Sequence, residues 1–495
     1  MIGKSVEELI AYAKLHLQLD EEDATYKRNL LLKYFELDEP YYGEVDTEKL
    51  QGMRVPDELI APVREYLEKE KGLDPITAEL EIGWIMGLLT PLPSQVNQCF
   101  DSLYEVSPKT ATDYLYDLSI KNNYVAKTQI EKNMLWTAEY DDGPELEISI
   151  NLSKPEKSNK DIAKLLSVKS TSYPKCMLCH ENLGFAGNAK KPARENIRFI
   201  PLNLNGEKWF MQYSPYGYYP EHMILFYEKH EKMEINRRII GKLFDFVDLF
   251  PHYFIGSNAD LPIVGGSILD HEHFQGGGHE MPLMKAPIRE KIYEKEGCTL
   301  SILDFYNTVV RIDGKDRGSV LDLADKILTK WRSHDDPKHM IIAKDEAGEH
   351  NTITPILQKK EGAYRLFLIL RNNRVNEQYP DGIFHAHKEY HPIKSEGIGL
   401  IEAAGLFILP ARLKRQGALV DEVVDGKKEF EDVLKEYPDM EIFRPIIAEL
   451  KEKGGHIKGY INEVCRGILG NVAVYKNDKE GQDGLRAFLN GVINE

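Results

Sequence analysis

An α+β fold follows from three observations on this 495-residue chain. Roughly the first ninety residues place apolar side chains three and four apart, the helical period. The middle alternates short β-prone runs with turn residues, and the stretch from near Pro337 mixes both patterns. The length exceeds what one hydrophobic core serves. The expected division is a largely helical region at 1–160, an α+β lobe at 161–300 and a second α+β lobe with a C-terminal extension at 301–495.

Taken in order, VEELIAYAKLHL, RNLLLKYFEL and DELIAPVREYLEKE read as amphipathic helices, and Pro91 with Pro93 punctuates the chain after them. LEISINL (146–152) reads as a strand, and the polar, lysine-rich SKPEKSNKD (153–161) as a boundary. Beyond Cys176 come NIRFIPL, an Asn205-Gly206 hairpin signal and KWFMQY, then the strand HMILFY. INRRIIGKLFDFVDLF (235–250) has helical periodicity and leads into the strand YFIGSN. In the later block HMIIAK and YRLFLILRNN read as strands, and IGLIEAAGLFIL as an apolar helix.

With 42% hydrophobic and 29% charged residues, the composition is that of an ordinary globular protein. A net charge of −17 argues against a nucleic-acid partner, which needs a basic face. The N-terminal segment lacks the uninterrupted apolar run of a signal peptide. The longest apolar stretch, Ile398 to Ala411, is too short to span a bilayer. Five cysteines make no disulfide framework. A cytoplasmic protein with no membrane partner is therefore expected.

The run GGSILDHEHFQGGG (265–278) is the most informative. His271, His273 and Gln275 recur at every second position, which puts them on one face of a strand. Such a face can present a metal ligand, a nucleophile and a hydrogen-bonding amide together. The glycines after it let backbone N–H groups approach an anion. Histidines alternate again at His385 and His387, a spacing consistent with an internal repeat. The other motif is Cys176-Met-Leu-Cys179, followed by His180. Haem attachment would need export, and a thioredoxin-like redox pair would need a βαβ context. Zinc suits a two-residue gap between thiolates, with further ligands from among His180, His222, His230 and His271.

Four stretches carry a family resemblance: YPKCMLCHENLGFAG, SPYGYYPEHMILF, LFPHYFIGSNADLPIVGGSILDHEHFQGG and GIFHAHKEYHPIKSEGIGLIEAAGLFILPARL. Together they make the chain similar to the galactose-1-phosphate uridylyltransferases, specifically their longer, divergent bacterial class. The resemblance implies two histidine-triad-like lobes with antiparallel sheets and packed helices, behind a helical N-terminal region. It implies uridylyl transfer between UDP-glucose and galactose-1-phosphate by a ping-pong route, with His273 as nucleophile and Gln275 holding phosphoryl oxygens. A structural zinc would sit on Cys176, Cys179, His230 and His271, while Asn258, Gly266 and Ser267 would contact the uridine diphosphate. The better-studied class has His-Pro-His-x-Gln where this chain has His271-Glu272-His273-Phe274-Gln275, and an extra residue here follows Ser267. By rough position Glu290, His350, His385 and His387 would supply a second metal site. A homodimer fits the same resemblance. The alternative is a nucleotide-sugar phosphorylase or a histidine-triad hydrolase. Gln275 argues against hydrolysis because an amide cannot supply a proton.

Overall fold

The computed structural model describes residues 2–153, 172–266, 268–295 and 297–494. Residues 154–161 of the expected boundary lie outside them. Contacts divide the chain into two compact units, one of residues 2–132 and 172–231, the other of 133–153 and 232–494.

The first unit opens with a helical region: Ile2–His16, Glu21–Tyr34 and Asp57–Lys69, which periodicity predicts, are followed by Pro75–Leu89, Pro93–Tyr104 and Pro108–Lys121. Local chemistry marks their starts. Asp74 accepts a hydrogen bond from the Ile76 N–H and Ser107 from the Thr110 N–H, and each precedes a proline whose missing N–H costs nothing in a first turn. Leu9, Ile60, Val63, Ile82, Ile85 and Met86 are buried together as the apolar faces meet. The same unit holds the hairpin Ile200–Leu204 and Glu207–Tyr213, closed at Leu204 opposite Glu207. Asn205 and Gly206 take φ of 53° and 76°, the left-handed pair that a two-residue hairpin turn demands. Met223–Tyr227 adds antiparallel to Glu207–Tyr213.

The second unit is built on antiparallel strands in the order His273–Gly277, Phe254–Gly256, Asn351–Lys360, Ala363–Asn372, Val309–Gly314, Cys298–Leu303 and Ile288–Lys295. Helices Arg237–Leu249 and Arg317–Arg332 both pack on Asn351–Lys360 and on each other. Asn236 caps the first of them by accepting from the Ile239 N–H at 3.1 Å. A smaller sheet pairs Met134–Tyr140 with Gly143–Asn151, and the latter runs parallel to Leu406–Pro410. Four longer helices, Arg412–Val424, Arg444–Lys453, Ile457–Val472 and Lys479–Asn494, complete the C-terminal part. The α+β class, the antiparallel sheets and the helical N-terminal region are thus as expected. No helix among the described residues is long and apolar enough to cross a membrane.

Two segments differ from the sequence expectation. HMIIAK is no strand: Met340 turns at φ 60°, and Asp335 accepts from the Ala343 N–H at 2.6 Å, so a side chain takes the place of a ladder partner. IGLIEAAGLFIL is helical only over Leu400–Ala403. Gly405, at φ 98°, ends that turn, and Leu406–Pro410 becomes a strand because a parallel neighbour satisfies its backbone.

Candidate functional site

In the second unit the histidine segment follows a glycine loop, and both are held by side chains from the surrounding elements. Asn258, 4% exposed, accepts a hydrogen bond from the Leu400 N–H at 2.8 Å. A side chain at Gly266 would begin 2.6 Å from Asn258 Nδ2, and one at Gly265 would begin 2.5 Å from the Ala259 carbonyl oxygen. Only glycine lets this loop close on itself. Asn258 and Gly266 are therefore neighbours, while Ser267 lies outside the described residues. Within the loop Ile263 sits at φ 72°, a conformation costly for a β-branched residue.

The anchor of this loop is a residue that motif reading missed. Asp260 is 6% exposed, and its Oδ2 accepts from the Ile235 N–H and from Arg332 Nη2, both at 2.8 Å. Its Oδ1 accepts from Thr352 Oγ1 at 2.5 Å. The signal for it was a lone acid inside the apolar run ADLPIVGG, since such a charge is buried only when paired and hydrogen-bonded.

His273 begins the strand His273–Gly277 and is buried. Its Nδ1 lies 2.8 Å from the His271 carbonyl oxygen. A carbonyl only accepts, so Nδ1 carries the hydrogen and Nε2 keeps its lone pair. Burial pushes the imidazole down to about 4, an effect partly opposed by that hydrogen bond. The ring is thus neutral near pH 7. Gln275, two residues on, is half-buried and sits opposite Gly256 in the ladder. His271 is fully buried two residues before the strand nucleophile candidate.

In the first unit, Cys176, Cys179 and His230 form a group able to hold a metal ion. The two sulfurs are 3.5 Å apart, and Cys179 Sγ lies 3.2 Å from His230 Nδ1. Tetrahedral zinc with sulfur at ~2.3 Å would put its ligand atoms roughly 3.5–3.8 Å apart. The residues fit. The Leu178 N–H donates to Cys176 Sγ at 3.3 Å, and Asn182 Nδ2 donates to the carbonyls of Cys176 and Cys179 at 2.9 and 2.8 Å. Burial pushes the Cys176 thiol up to about 12, so a cation would be needed to hold it as thiolate near neutral pH. His180 and His222, the other candidates in this unit, stack instead on Phe210 and on Tyr219.

The rough second set does not assemble. Glu290 is paired with Arg486 at 2.8 Å, His350 Nδ1 shares a hydrogen bond with Asn373 Oδ1 at 2.7 Å, and His350 Nε2 lies 2.8 Å from Asp345 Oδ1. His387 Nε2 lies 3.0 Å from the Ile383 carbonyl oxygen. Among the described residues, no metal-capable group includes Glu290, His350, His385 or His387.

Comparison with known proteins places this geometry in context. A family model described as the N-terminal domain of galactose-1-phosphate uridyl transferase matches residues 40–232, and its C-terminal counterpart matches 246–428. A galactose-1-phosphate uridylyltransferase of Clostridium acetobutylicum is 45% identical over 99% of this chain and 100% of its own length. One from Lactococcus lactis subsp. lactis is 42% identical over all of both chains. One from Bacillus subtilis is 38% identical over 99% of this chain and 97% of its own.

Proposed function

The chain belongs to the galactose-1-phosphate uridylyltransferase family and is a nucleotidyltransferase acting on nucleotide sugars and sugar phosphates, and on that premise we propose that UDP-glucose and galactose-1-phosphate are its substrates and His273 its nucleophile. The observation that carries the assignment is the Nδ1 bond of His273 to the His271 carbonyl. That bond leaves Nε2 unprotonated, and burial keeps the ring neutral, so a lone pair is available for attack on phosphorus.

Attack of Nε2 on the α-phosphorus of UDP-glucose forms an N–P bond. The bond from that phosphorus to the bridging oxygen breaks, and glucose-1-phosphate leaves. A phosphate oxygen of galactose-1-phosphate then attacks the same phosphorus, giving UDP-galactose and free His273. The two half-reactions share one site, which is the ping-pong scheme. Gln275 orients the phosphoryl oxygens by hydrogen bonding, and Asn258, Gly266 and Ser267 contact the diphosphate. Cys176, Cys179 and His230, with His271 as the further ligand the family resemblance implies, would hold a structural zinc, which would contribute folding energy. The protein acts in the cytoplasm, as a homodimer.

Incubation with UDP-glucose and galactose-1-phosphate, with both products measured, tests this reading. Glucose-1-phosphate and UDP-galactose should appear in equal amounts. Release of uridine monophosphate at the same rate with and without the acceptor would reject it in favour of hydrolysis.

A further inference from the structure

We propose that Glu272 is a positioning residue for the transfer reaction, gripped by Lys242 and Arg238 so that the peptide between His271 and His273 cannot turn. The inference rests on His273 being the nucleophile. Glu272 is 2% exposed, and Lys242, on the apolar face of helix Arg237–Leu249, is 0% exposed. Lys242 Nζ lies 3.1 Å from Glu272 Oε1, and Arg238 Nη2 lies 3.5 Å from Oε2. Positions 238 and 242 are four apart, one helical turn, so both cations stand on the same stripe and each takes one carboxylate oxygen.

A buried ion pair is a poor device for stability, because desolvating two charges offsets most of their attraction. Two well-packed apolar residues would hold the helix to the sheet as well. What a pair adds is direction, since a carboxylate held at both oxygens fixes the backbone that bears it. That backbone matters here. The His271 carbonyl belongs to the peptide bond that joins His271 to Glu272, and it is the acceptor for His273 Nδ1. The Glu272 carboxylate is turned to helix Arg237–Leu249, where Lys242 and Arg238 hold it, and so acts on His273 through the backbone alone. Fixing Glu272 therefore fixes the carbonyl, which fixes the tautomer and the direction of Nε2.

The test compares Glu272→Gln with Lys242→Met/Glu272→Met, a double variant that leaves no unpaired buried charge and so guards against simple misfolding. Both are assayed in the full-length protein for kcat, for KM of both substrates, and for the ¹⁵N shifts that report the His273 tautomer. Expected is a fall in kcat of roughly 10- to 100-fold, the effect of a misplaced reacting group, with KM within about twofold. The Nδ1–H tautomer signal should be lost in part. A folded double variant with wild-type kcat and wild-type ¹⁵N shifts would overturn the proposal, as would a kcat loss matched by a KM rise. The underlying assignment fails separately, if His273→Ala still takes up uridylyl label.

Discussion

Two segments of the second unit carry the same His-x-His spacing, and they come to different ends. His273 and His385 are both buried, and burial pushes both imidazoles down to about 4. Arg371 and His391 add to the effect at His385. His273, however, lies in an antiparallel ladder with Nδ1 tied to a backbone carbonyl, whereas His385 lies in a bend between Gly382 and the short helix Lys388–Tyr390, and neither of its ring nitrogens has a hydrogen-bond partner among the described residues. Desolvation alone makes an imidazole neutral. A fixed acceptor also gives it direction, because it decides which nitrogen holds the lone pair.

The largest effect that sharpens this contrast is loss of the proposed nucleophile. His273→Ala should abolish exchange and the protein-bound, acid-labile uridylyl group formed from labelled UDP-glucose alone, with fold and metal content retained. His385→Leu should stay within a few-fold of the parent in turnover. Equal labelling of parent and His273→Ala would break the comparison at its root.

Next in size is the neighbour on the same face. Gln275→His should slow exchange by roughly 10²–10³-fold, as loss of a positioned donor does, and raise uridine monophosphate release from UDP-glucose without acceptor. If that release does not rise relative to exchange, exclusion of water, and not the amide, separates transfer from hydrolysis.

The cysteine pair offers a third contrast, since its proposed role is to hold structure. Cys176→Ser and Cys179→Ser should each lower zinc from about one per chain to none and cut Tm by roughly 5–10 °C, the result of losing about 2–3 kcal/mol in a domain of this size. Metal analysis and melting curves read it directly. A double variant that melts like the parent would remove zinc from the account.

The smallest effect concerns His385 and acid. Its pKa lies near 4 in the fold against 6.5 ordinarily, so the unfolded chain binds the extra proton between those values. Stability then rises with pH across that window, and the full stabilisation is present above pH 6.5 and lost as pH falls through 4. The penalty at low pH is at most about 3 kcal/mol. His385→Leu should lessen the fall of Tm between pH 6.5 and 4 without abolishing it, because His273 carries the same shift, and should change Tm little at pH 8. An unchanged slope would mean that His385 is not the titrating group.

Much of this protein is legible from sequence alone, and the reasons are local. The helices Ile2–His16, Glu21–Tyr34 and Asp57–Lys69 follow from a three-and-four apolar spacing, which acts within one turn. The Asn205-Gly206 turn follows from the φ values those residues tolerate. The Cys176–Cys179 knuckle and the His273–Gln275 spacing are equally short-range. The uridylyltransferase family itself was legible, because its motifs are contiguous. Other features needed partners far away in the chain. Leu406–Pro410 is a strand only because Gly143–Asn151 runs beside it, and no window around Gly405 contains that neighbour. Among the histidines of the first unit, the family resemblance singled out His230 as a zinc ligand, and only the fold shows it beside Cys179, with His180 and His222 packed against aromatic rings. Asp260 and Glu272 were plain acids in the sequence. Tertiary structure alone gave them Arg332, Thr352, Lys242 and Arg238 as partners, because burying a charge is tolerable only where the fold delivers its counter-charges to the same place.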